Sequence, residues 1–300
     1  MRYILTLILL ATSLQASIFK DASSIYVGTN AVKYVYAGTN LAWQSINTDF
    51  VSTWRTTVAN ETITVPTRSG HAYECNVDWG DGSVETISGY DDAKWTHTYA
   101  DSGDYEVTIS GTFETIYFSN SGDKSKLISI SNLGSVGWTS FYNSFLGCTS
   151  LNSVTGDADT SLVSSMYRMF YYCTSMTTTP NTANWDTSRV NNMYQMFLYC
   201  TSMTTAPDTA NWDTSLVTTM SGMFYNCNSM TTAPVFTTTN SVDLVNVSQM
   251  FQYVGSGMTG TVNEFWNTNN FPNITIYVNF ATGATGLDNY ADIPNSWKGL

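Results

Sequence analysis

The sequence predicts a multi-part α+β fold, in which an all-β part precedes a solenoid of stacked α/β coils. A block of 27 residues occurs twice in succession, at 181–207 and at 208–234, and 18 of the 27 positions are identical. A period of this length is typical of repeat proteins, in which one copy cannot bury its own apolar face and stacks on its neighbours. Between 47 and 119, short apolar runs alternate with turn residues, a pattern that favours β-strands.

The cysteines indicate how far the repeats extend. Spacings of 25, 27 and 27 residues separate Cys148, Cys173, Cys200 and Cys227. They predict about five coils over residues 120–262, followed by a cap at 263–300. Because equivalent positions of stacked coils point the same way, we expect a ladder of small buried thiols and not disulfide pairs. One cysteine per coil without a nearby histidine fits no zinc spacing, so we expect no metal site and no cofactor.

Each copy of the repeat contains an apolar pattern that predicts an amphipathic helix. In the second copy the pattern consists of Val217, Met220, Met223, Phe224 and Cys227, which would lie on one side of a helix. Asp213-Thr214-Ser215 precedes it and is predicted to cap the first turn. The threonine-rich run that follows is predicted to form a short strand. The expected coil is therefore of the leucine-rich-repeat type.

The amino-terminal residues have the features of a secretion signal. Arg2 precedes an apolar run at 4–10, and a cut after Ala16 would leave a mature chain that is secreted or held at the cell surface. Residues 17–46 are predicted to form a β-hairpin segment. No later apolar run reaches the length of a membrane span, so we expect no membrane span in the mature chain.

The predicted all-β part, 47–119, contains a specific motif. Val77-Asp78-Trp79-Gly80-Asp81-Gly82 is followed by a strand that begins at His97-Thr98-Tyr99. This combination resembles PKD-type domains and implies a PKD-like β-sandwich. Four acidic residues of this part could together bind Ca²⁺ or could simply face water: Asp78, Asp81, Asp101 and Asp104.

The order of these motifs and repeats resembles that of BspA-type bacterial leucine-rich-repeat surface proteins. The resemblance covers roughly residues 48–262 and includes the repeated Asp-Thr-Ser-x-Val-x-x-Met-x-x-Met-Phe-x-x-Cys. It implies an exported protein with a role in adhesion, and it brings no catalytic residues.

Composition and motifs exclude several classes of function. The formal net charge is -12 and no lysine or arginine cluster is present, so nucleic acid is not an expected partner. Only His71 and His97 are available as histidine bases, and neither accompanies a nucleophile motif. We therefore predict that the protein is not an enzyme.

The expected function is binding of an extracellular protein or glycan through the repeat face. Trp185 and Trp212 recur one coil apart and would form an aromatic rail, unless both pack over the turn beside them. Thr177, Thr204 and Thr231 would form a row of hydroxyl groups that binds a polar ligand or ice, or that is merely solvated. The alternative function is a structural or self-assembling extracellular protein, in which open strand edges join subunits.

Overall fold

The computed structural model describes residues 48–236, 243–263, 265 and 271–300, together with three earlier strands. The predicted signal peptide, 1–16, lies outside the described residues. The chain divides into two compact units, Met1–Asn47 and Thr48–Leu300. In the first unit an antiparallel sheet is formed, in spatial order, by β1 (Ser24–Val27), β2 (Val32–Ala37) and β3 (Asn40–Gln44).

The second unit begins with two sheets. Their strands are β4 (Phe50–Thr56), β5 (Glu61–Thr64), β6 (Tyr73–Asp78), β7 (Val84–Ile87), β8 (Thr96–Tyr99), β9 (Gly103–Phe113), β10 (Leu127–Asn132) and β11 (Ser153–Val154). Six of them form one sheet in the order β11-β10-β4-β9-β6-β7, and β5 pairs with β8 in a separate two-stranded sheet. Helical structure in the described residues consists of 3₁₀ turns at Ala93–Trp95 and Tyr290–Asp292 and one α-helical turn at Asn295–Lys298. None of it has the length and apolar character needed to cross a membrane.

Alternating side chains explain the strands of the large sheet. In β6, Tyr73, Cys75 and Val77 are buried while the residues between them are exposed, as the two-residue period of a strand requires. The predicted PKD-like β-sandwich is nevertheless wrong. The large sheet continues through β10 and β11 into the repeat region, and the second sheet has only two strands.

Successive repeats are joined by parallel backbone pairing. Isolated bridges connect Ser165 to Asn192, Asn192 to Thr219, and Thr219 to Asn246. Within one repeat, alternate backbone N–H groups donate to carbonyl groups of the next repeat. These donors are Met166, Arg168, Phe170 and Tyr172, and their acceptors are Asn192, Tyr194, Met196 and Leu198. Each repeat is thus a rung that hydrogen-bonds to the rung beyond it.

The predicted amphipathic helix is wrong, because its residues form tandem turns. Met169 N–H donates to Met166 C=O and Cys173 N–H to Phe170 C=O. The third residue of each turn has a positive φ, 51° at Arg168 and 61° at Tyr172, as a type II turn requires. A left-handed residue at every fourth position is incompatible with an α-helix. Tandem turns of this length place every third or fourth side chain inward, which is the spacing that suggested a helix.

The predicted helix cap is a different turn. Ser215 N–H donates to Asp213 Oδ1 at 2.9 Å, and Val217 N–H donates to Thr214 C=O at 3.1 Å. Asp-Thr-Ser therefore makes an Asx-type turn. The fold class predicted above, an α/β solenoid of leucine-rich-repeat type, is accordingly wrong: the described chain is mostly sheet, turn and irregular structure with almost no helix.

Buried columns form the core between the rungs. One column of stacked rings joins Phe145, Phe170, Phe197, Phe224 and Phe251, with centroid separations of 5.3, 5.5, 5.6 and 5.6 Å. The four cysteines of the repeats form a parallel column of buried free thiols, Cys148, Cys173, Cys200 and Cys227, which confirms the predicted ladder. Sγ of Cys200 donates to Phe170 C=O at 3.1 Å, and Sγ of Cys227 donates to Phe197 C=O at 3.0 Å.

Candidate interaction surface

A first row of half-buried tyrosines follows the stacking direction of the rungs. The rings of Tyr117, Tyr142, Tyr167 and Tyr194 are stacked with centroid separations of 6.4, 4.7 and 5.3 Å. Tyr167 and Tyr194 are equivalent residues of consecutive repeats and immediately precede the left-handed residues Arg168 and Gln195. The turn that excludes a helix therefore also directs these rings outward.

A second row lies at the next turn of each repeat. Tyr172 stacks on Tyr199 at 4.5 Å, Tyr199 meets Tyr225 edge-on at 5.5 Å, and Tyr225 meets Tyr253 edge-on at 5.6 Å. Tyr172 and Tyr253 are 40% and 46% exposed, which is high for residues of this size in a folded chain. Tyr171 contacts Tyr172 at 4.9 Å and completes the row.

Arg168 connects the two rows. Its guanidinium carbon lies 4.9 Å from the ring centroid of Tyr167, 5.5 Å from that of Tyr194 and 5.2 Å from that of Tyr171. Nε donates to Gln195 Oε1 at 2.8 Å. Because the cation attracts ring faces on both sides, the rows form one continuous patch, which we call the tyrosine surface: Tyr117, Tyr142, Tyr167, Tyr171, Tyr172, Tyr194, Tyr199, Tyr225 and Tyr253.

The chemistry of the tyrosine surface follows from its stacking. In the stacked pairs each ring covers a face of its neighbour, so a partner there meets mainly ring edges and hydroxyl groups. Tyr225, in contrast, meets Tyr199 and Tyr253 edge-on. Burial raises the pKa of Tyr167, Tyr171 and Tyr225. Their hydroxyl groups therefore stay protonated at neutral pH and can donate hydrogen bonds.

Sequence reasoning missed these tyrosines, although a signal was present. Tyr167 and Tyr194 are 27 residues apart, as are Tyr172 and Tyr199. An aromatic residue that recurs at the repeat period outside the buried set is a candidate for a repeated surface column. The prediction of a helix obscured this signal, because the tandem turns, and not a helix, determine which side chains are exposed.

The two tryptophans predicted as a rail are buried. Trp185 and Trp212 are 3% and 2% exposed, and their rings are parallel with centroids 6.4 Å apart. Nε1 of Trp212 donates to Thr182 C=O at 3.2 Å. In this arrangement the rings pack between rungs and present no face to a ligand.

The three threonines predicted to form a row of hydroxyl groups, Thr177, Thr204 and Thr231, are all exposed. Thr177 Oγ1 donates to Asn152 C=O at 3.2 Å, and Thr231 Oγ1 donates to Thr204 C=O at 3.0 Å. These two hydroxyl protons are engaged within the stack, so the oxygens face solvent chiefly as acceptors.

The repeat region matches a family of uncharacterised proteins. Residues 139–265 match the family model described as Mycoplasma protein of unknown function, DUF285. Most of the tyrosine surface lies inside this DUF285 match. No curated protein and no solved structure shows a significant match to the chain.

The DUF285 match corrects the family resemblance drawn from the sequence. The resemblance to BspA-type leucine-rich-repeat surface proteins is wrong, because the matched family is a different one. In addition, the described residues of the repeats contain none of the helices that a leucine-rich-repeat solenoid would have. The feature that these repeats share with leucine-rich repeats is the period of their apolar residues, which tandem turns also produce.

A polar cluster surrounds His97, which lies N-terminal to the residues that match DUF285. Its Nε2 lies 2.8 Å from Asp81 Oδ2 and 3.4 Å from Ser83 Oγ. In a nucleophilic triad the carboxylate and the hydroxyl engage opposite ring nitrogens, whereas here both face the same one. The ring also stacks on buried Trp79 with centroids 5.1 Å apart. The geometry is that of a packed turn and not of an activated serine.

The acidic residues considered for Ca²⁺ are engaged separately. Asp104 makes a bidentate ion pair with Arg55 at 2.6 and 2.7 Å, and Asp78 Oδ1 accepts from Gly80 N–H at 2.9 Å. Among the described residues, no group of three or more potential metal ligands is close enough to hold an ion.

The Asp81–His97 contact predicts a pH dependence of stability. Burial alone would raise the pKa of Asp81, but hydrogen bonds from Ser83 and His97 outweigh it and lower the pKa to about 2. The unfolded pKa is about 3.9, so the stabilisation is complete above that value and is lost as the pH falls through about 2. We expect Asp81→Asn to lower the unfolding free energy by on the order of 1 kcal/mol at pH 7, after screening by solvent. Urea titrations of both proteins at pH 7 and pH 2 would check this; a difference that does not shrink at pH 2 would contradict it.

One cleft of about 590 Å³ lies beside β4 and β10. Its charged side chains neutralise one another: Lys126 Nζ lies 3.0 Å from Glu61 Oε1 and 3.0 Å from Asp123 Oδ1, while Arg55 pairs with Asp104. The rest of its lining is Thr57, Ser125, Ile128, Ser150, Asn152 and Ser175. With its ions already paired, the cleft offers a ligand mainly neutral hydroxyl and amide groups.

Proposed function

We propose that this protein is exported and binds a protein partner through the tyrosine surface. The observation that carries the proposal is the continuous double row of tyrosines, held on consecutive rungs and open to solvent along its edges. Five rung-to-rung steps of about 4.8 Å extend this surface over roughly 24 Å. That length suits the contact patch of a specific protein–protein interface.

The kind of side chain supports binding over a structural role for the rows. Tyrosine supplies large contact area with few rotatable bonds and is enriched at protein interfaces. A purely structural column would be buried, as the phenylalanine column beside it is. Tyr172 and Tyr253 are exposed and do not pack in the core, so a structural role does not account for their rings.

Covered ring faces favour a protein partner over a glycan. Sugar recognition by aromatic residues uses an open ring face, whereas Tyr142 and Tyr167 each have a stacked tyrosine ring on both sides. The hydroxyl groups and ring edges that remain match the mixed polar and apolar surface of a protein. Export, in turn, is supported by the charged and apolar residues at the start of the sequence.

The proposal predicts that binding is lost when the exposed tyrosines are removed. The triple variant Tyr172→Ser, Tyr199→Ser, Tyr253→Ser should bind an immobilised protein ligand at least 30-fold more weakly, because interface tyrosines often contribute 2 kcal/mol or more, roughly a factor of 30. The measurement is surface plasmon resonance of the purified chain against an array of extracellular matrix proteins, bacterial surface proteins and glycans.

A matched control replaces three exposed apolar residues outside the tyrosine surface: Val84→Ser, Tyr90→Ser and Leu216→Ser, which are 62%, 45% and 47% exposed in the parent. The control should retain binding. If the control loses binding and the tyrosine variant retains it, the site lies elsewhere. If no ligand binds and light scattering shows particles larger than a monomer, the self-assembling alternative is favoured.

A further inference from the structure

Two arginines lie on the tyrosine surface without a carboxylate partner. Arg168 contacts both rows, as described above, and the guanidinium carbon of Arg68 lies 5.0 Å from the Tyr117 centroid and 5.1 Å from the Tyr142 centroid. Within the described residues, the ion pairs are made by Arg55, Lys126 and the two histidines, and neither Arg68 nor Arg168 takes part.

The lack of a carboxylate partner at these two arginines is unusual in so acidic a chain, and the distribution of the acidic residues explains it. The chain has a formal net charge of -12, yet the tyrosine-bearing segments 139–156, 160–185, 187–207 and 214–242 contain no aspartate or glutamate. The acidic residues of the repeats lie outside these segments in the sequence, as Asp186 and Asp213 do. Near Arg68, Glu114 instead faces His71, at 3.6 Å, and accepts from Ala72 N–H at 2.9 Å.

We propose that the partner presents an acidic polypeptide segment whose carboxylates bind Arg68 and Arg168. This proposal rests on the proposed function, since it assigns the partner of that same surface. A guanidinium laid on aromatic rings is fixed in orientation and offers N–H groups along its edge, an arrangement that matches a carboxylate in bidentate fashion. In a protein of this acidity an anionic partner is repelled least where the chain carries few carboxylates of its own, as in the acid-free segments that bear most of the tyrosine surface.

The spacing of the two arginines suits a short extended segment. The path between the two guanidinium groups runs through Tyr142 and Tyr167 by centroid distances of 5.1, 4.7 and 4.9 Å, and their separation cannot exceed that path. Alternate residues of a strand are about 7 Å apart on one face. Acidic residues two or four positions apart could therefore reach both arginines. With a spacing of four, the residue midway between them lies on the same face and can place an apolar side chain against the tyrosine edges.

A short acidic peptide fits better than a long polyanion. The net charge of -12 repels a uniformly charged chain that extends beyond the two arginines. A peptide carries its charges at chosen positions and supplies apolar side chains for the ring edges. An anionic glycan offers no such side chains, and the faces of the two rings between the arginines, Tyr142 and Tyr167, are covered by stacked neighbours.

The test uses a blocked heptapeptide with glutamate at positions 2 and 6, leucine at position 4 and serine elsewhere, so that all three side chains share one face of a strand. Its glutamine counterpart and oligogalacturonate, an anionic glycan, are the comparison probes. Isothermal titration of the full chain should show binding of the glutamate peptide and at least tenfold weaker binding of the glutamine peptide. In the double variant Arg68→Gln, Arg168→Gln the preference for glutamate should disappear. Arg189→Gln, which removes an exposed charge beside Asp186, is the matched control and should retain the preference.

The outcomes separate this inference from the proposed function. Equal binding of both peptides that is lost in the tyrosine triple variant would overturn the acidic partner and leave the tyrosine surface as the binding site. The two rings between the arginines belong to the first row, so a second variant, Tyr142→Ser with Tyr167→Ser, is measured as well. Peptide binding that survives both tyrosine variants would overturn the proposed function itself. Arginine-dependent binding of oligogalacturonate without peptide binding, or no binding of any probe, would overturn the acidic polypeptide.

Discussion

Replacing Phe197 by alanine is expected to lower the free energy of unfolding by about 3–5 kcal/mol. The side chain is fully buried and stacks between Phe170, at 5.5 Å and 16°, and Phe224, at 5.6 Å and 3°. Removing the ring leaves two faces without a neighbour. The cavity cannot close easily, because Phe170 N–H and Phe197 N–H each donate to the next rung and hold the rungs at a fixed spacing.

The measurement is urea unfolding followed by circular dichroism. Leu216→Ala is the matched control, since that side chain belongs to the same repeat array but is 47% exposed; its effect should stay within about 0.5 kcal/mol. A loss below about 1 kcal/mol for Phe197→Ala would show that the rungs collapse around the cavity, and would contradict a rigid stack.

The repeat register and its buried residues could be predicted from the sequence. The spacing of Cys173, Cys200 and Cys227 is the spacing of the rungs, and all three thiols are buried as expected. This prediction from the sequence is correct because burial in a repeat array depends on which residues recur and at what interval. It does not require knowledge of the backbone conformation between them.

The predicted backbone conformation is wrong for a physical reason. Turns that each close over four residues and a helix of 3.6 residues per turn both direct every third or fourth residue inward, so apolar spacing alone cannot separate them. What separates them is the left-handed residue of each turn. Arg168, Tyr172 and Tyr199 occupy these positions, and none of them is a residue that signals positive φ.

Other repeats carry the missing signal at the same positions. In the columns that contain Arg168 and Tyr172, neighbouring rungs have residues that favour positive φ: Asn143, Gly147, Gly222, Asn226, Asn279 and Gly283. Glycine and asparagine are the residues that adopt this conformation most readily. Two such columns four residues apart would have argued against a helix.

The candidate site was harder to predict than the core. Trp185 and Trp212 recur as conspicuously as Tyr167 and Tyr194, yet the tryptophans are buried and the tyrosines lie at the surface. Recurrence shows that a column exists but not which way it points. The direction depends on the turn type, which the sequence pattern left ambiguous.

Gly134→Ala is expected to lower the free energy of unfolding by at least about 3 kcal/mol. Gly134 has a φ of 72°, and a Cβ at this position would lie 2.4 Å from Asp49 O and 2.5 Å from Thr48 O. Both are backbone atoms, so no side chain can turn aside. The residue also joins the sheet to the first repeat, since Gly134 N–H donates to Asp157 C=O and Asp159 N–H donates to Gly134 C=O.

Gly137→Ala separates the two causes of this loss. Gly137 has a φ of 89°, but nothing lies within 4 Å of its Cβ position, so alanine there incurs only the conformational cost of about 1–2 kcal/mol. Urea unfolding of both variants should therefore show a clearly larger loss for Gly134→Ala. Equal losses would mean that Thr48 and Asp49 move away at little cost, and that the close approach of this segment to the first rung is not a fixed part of the fold.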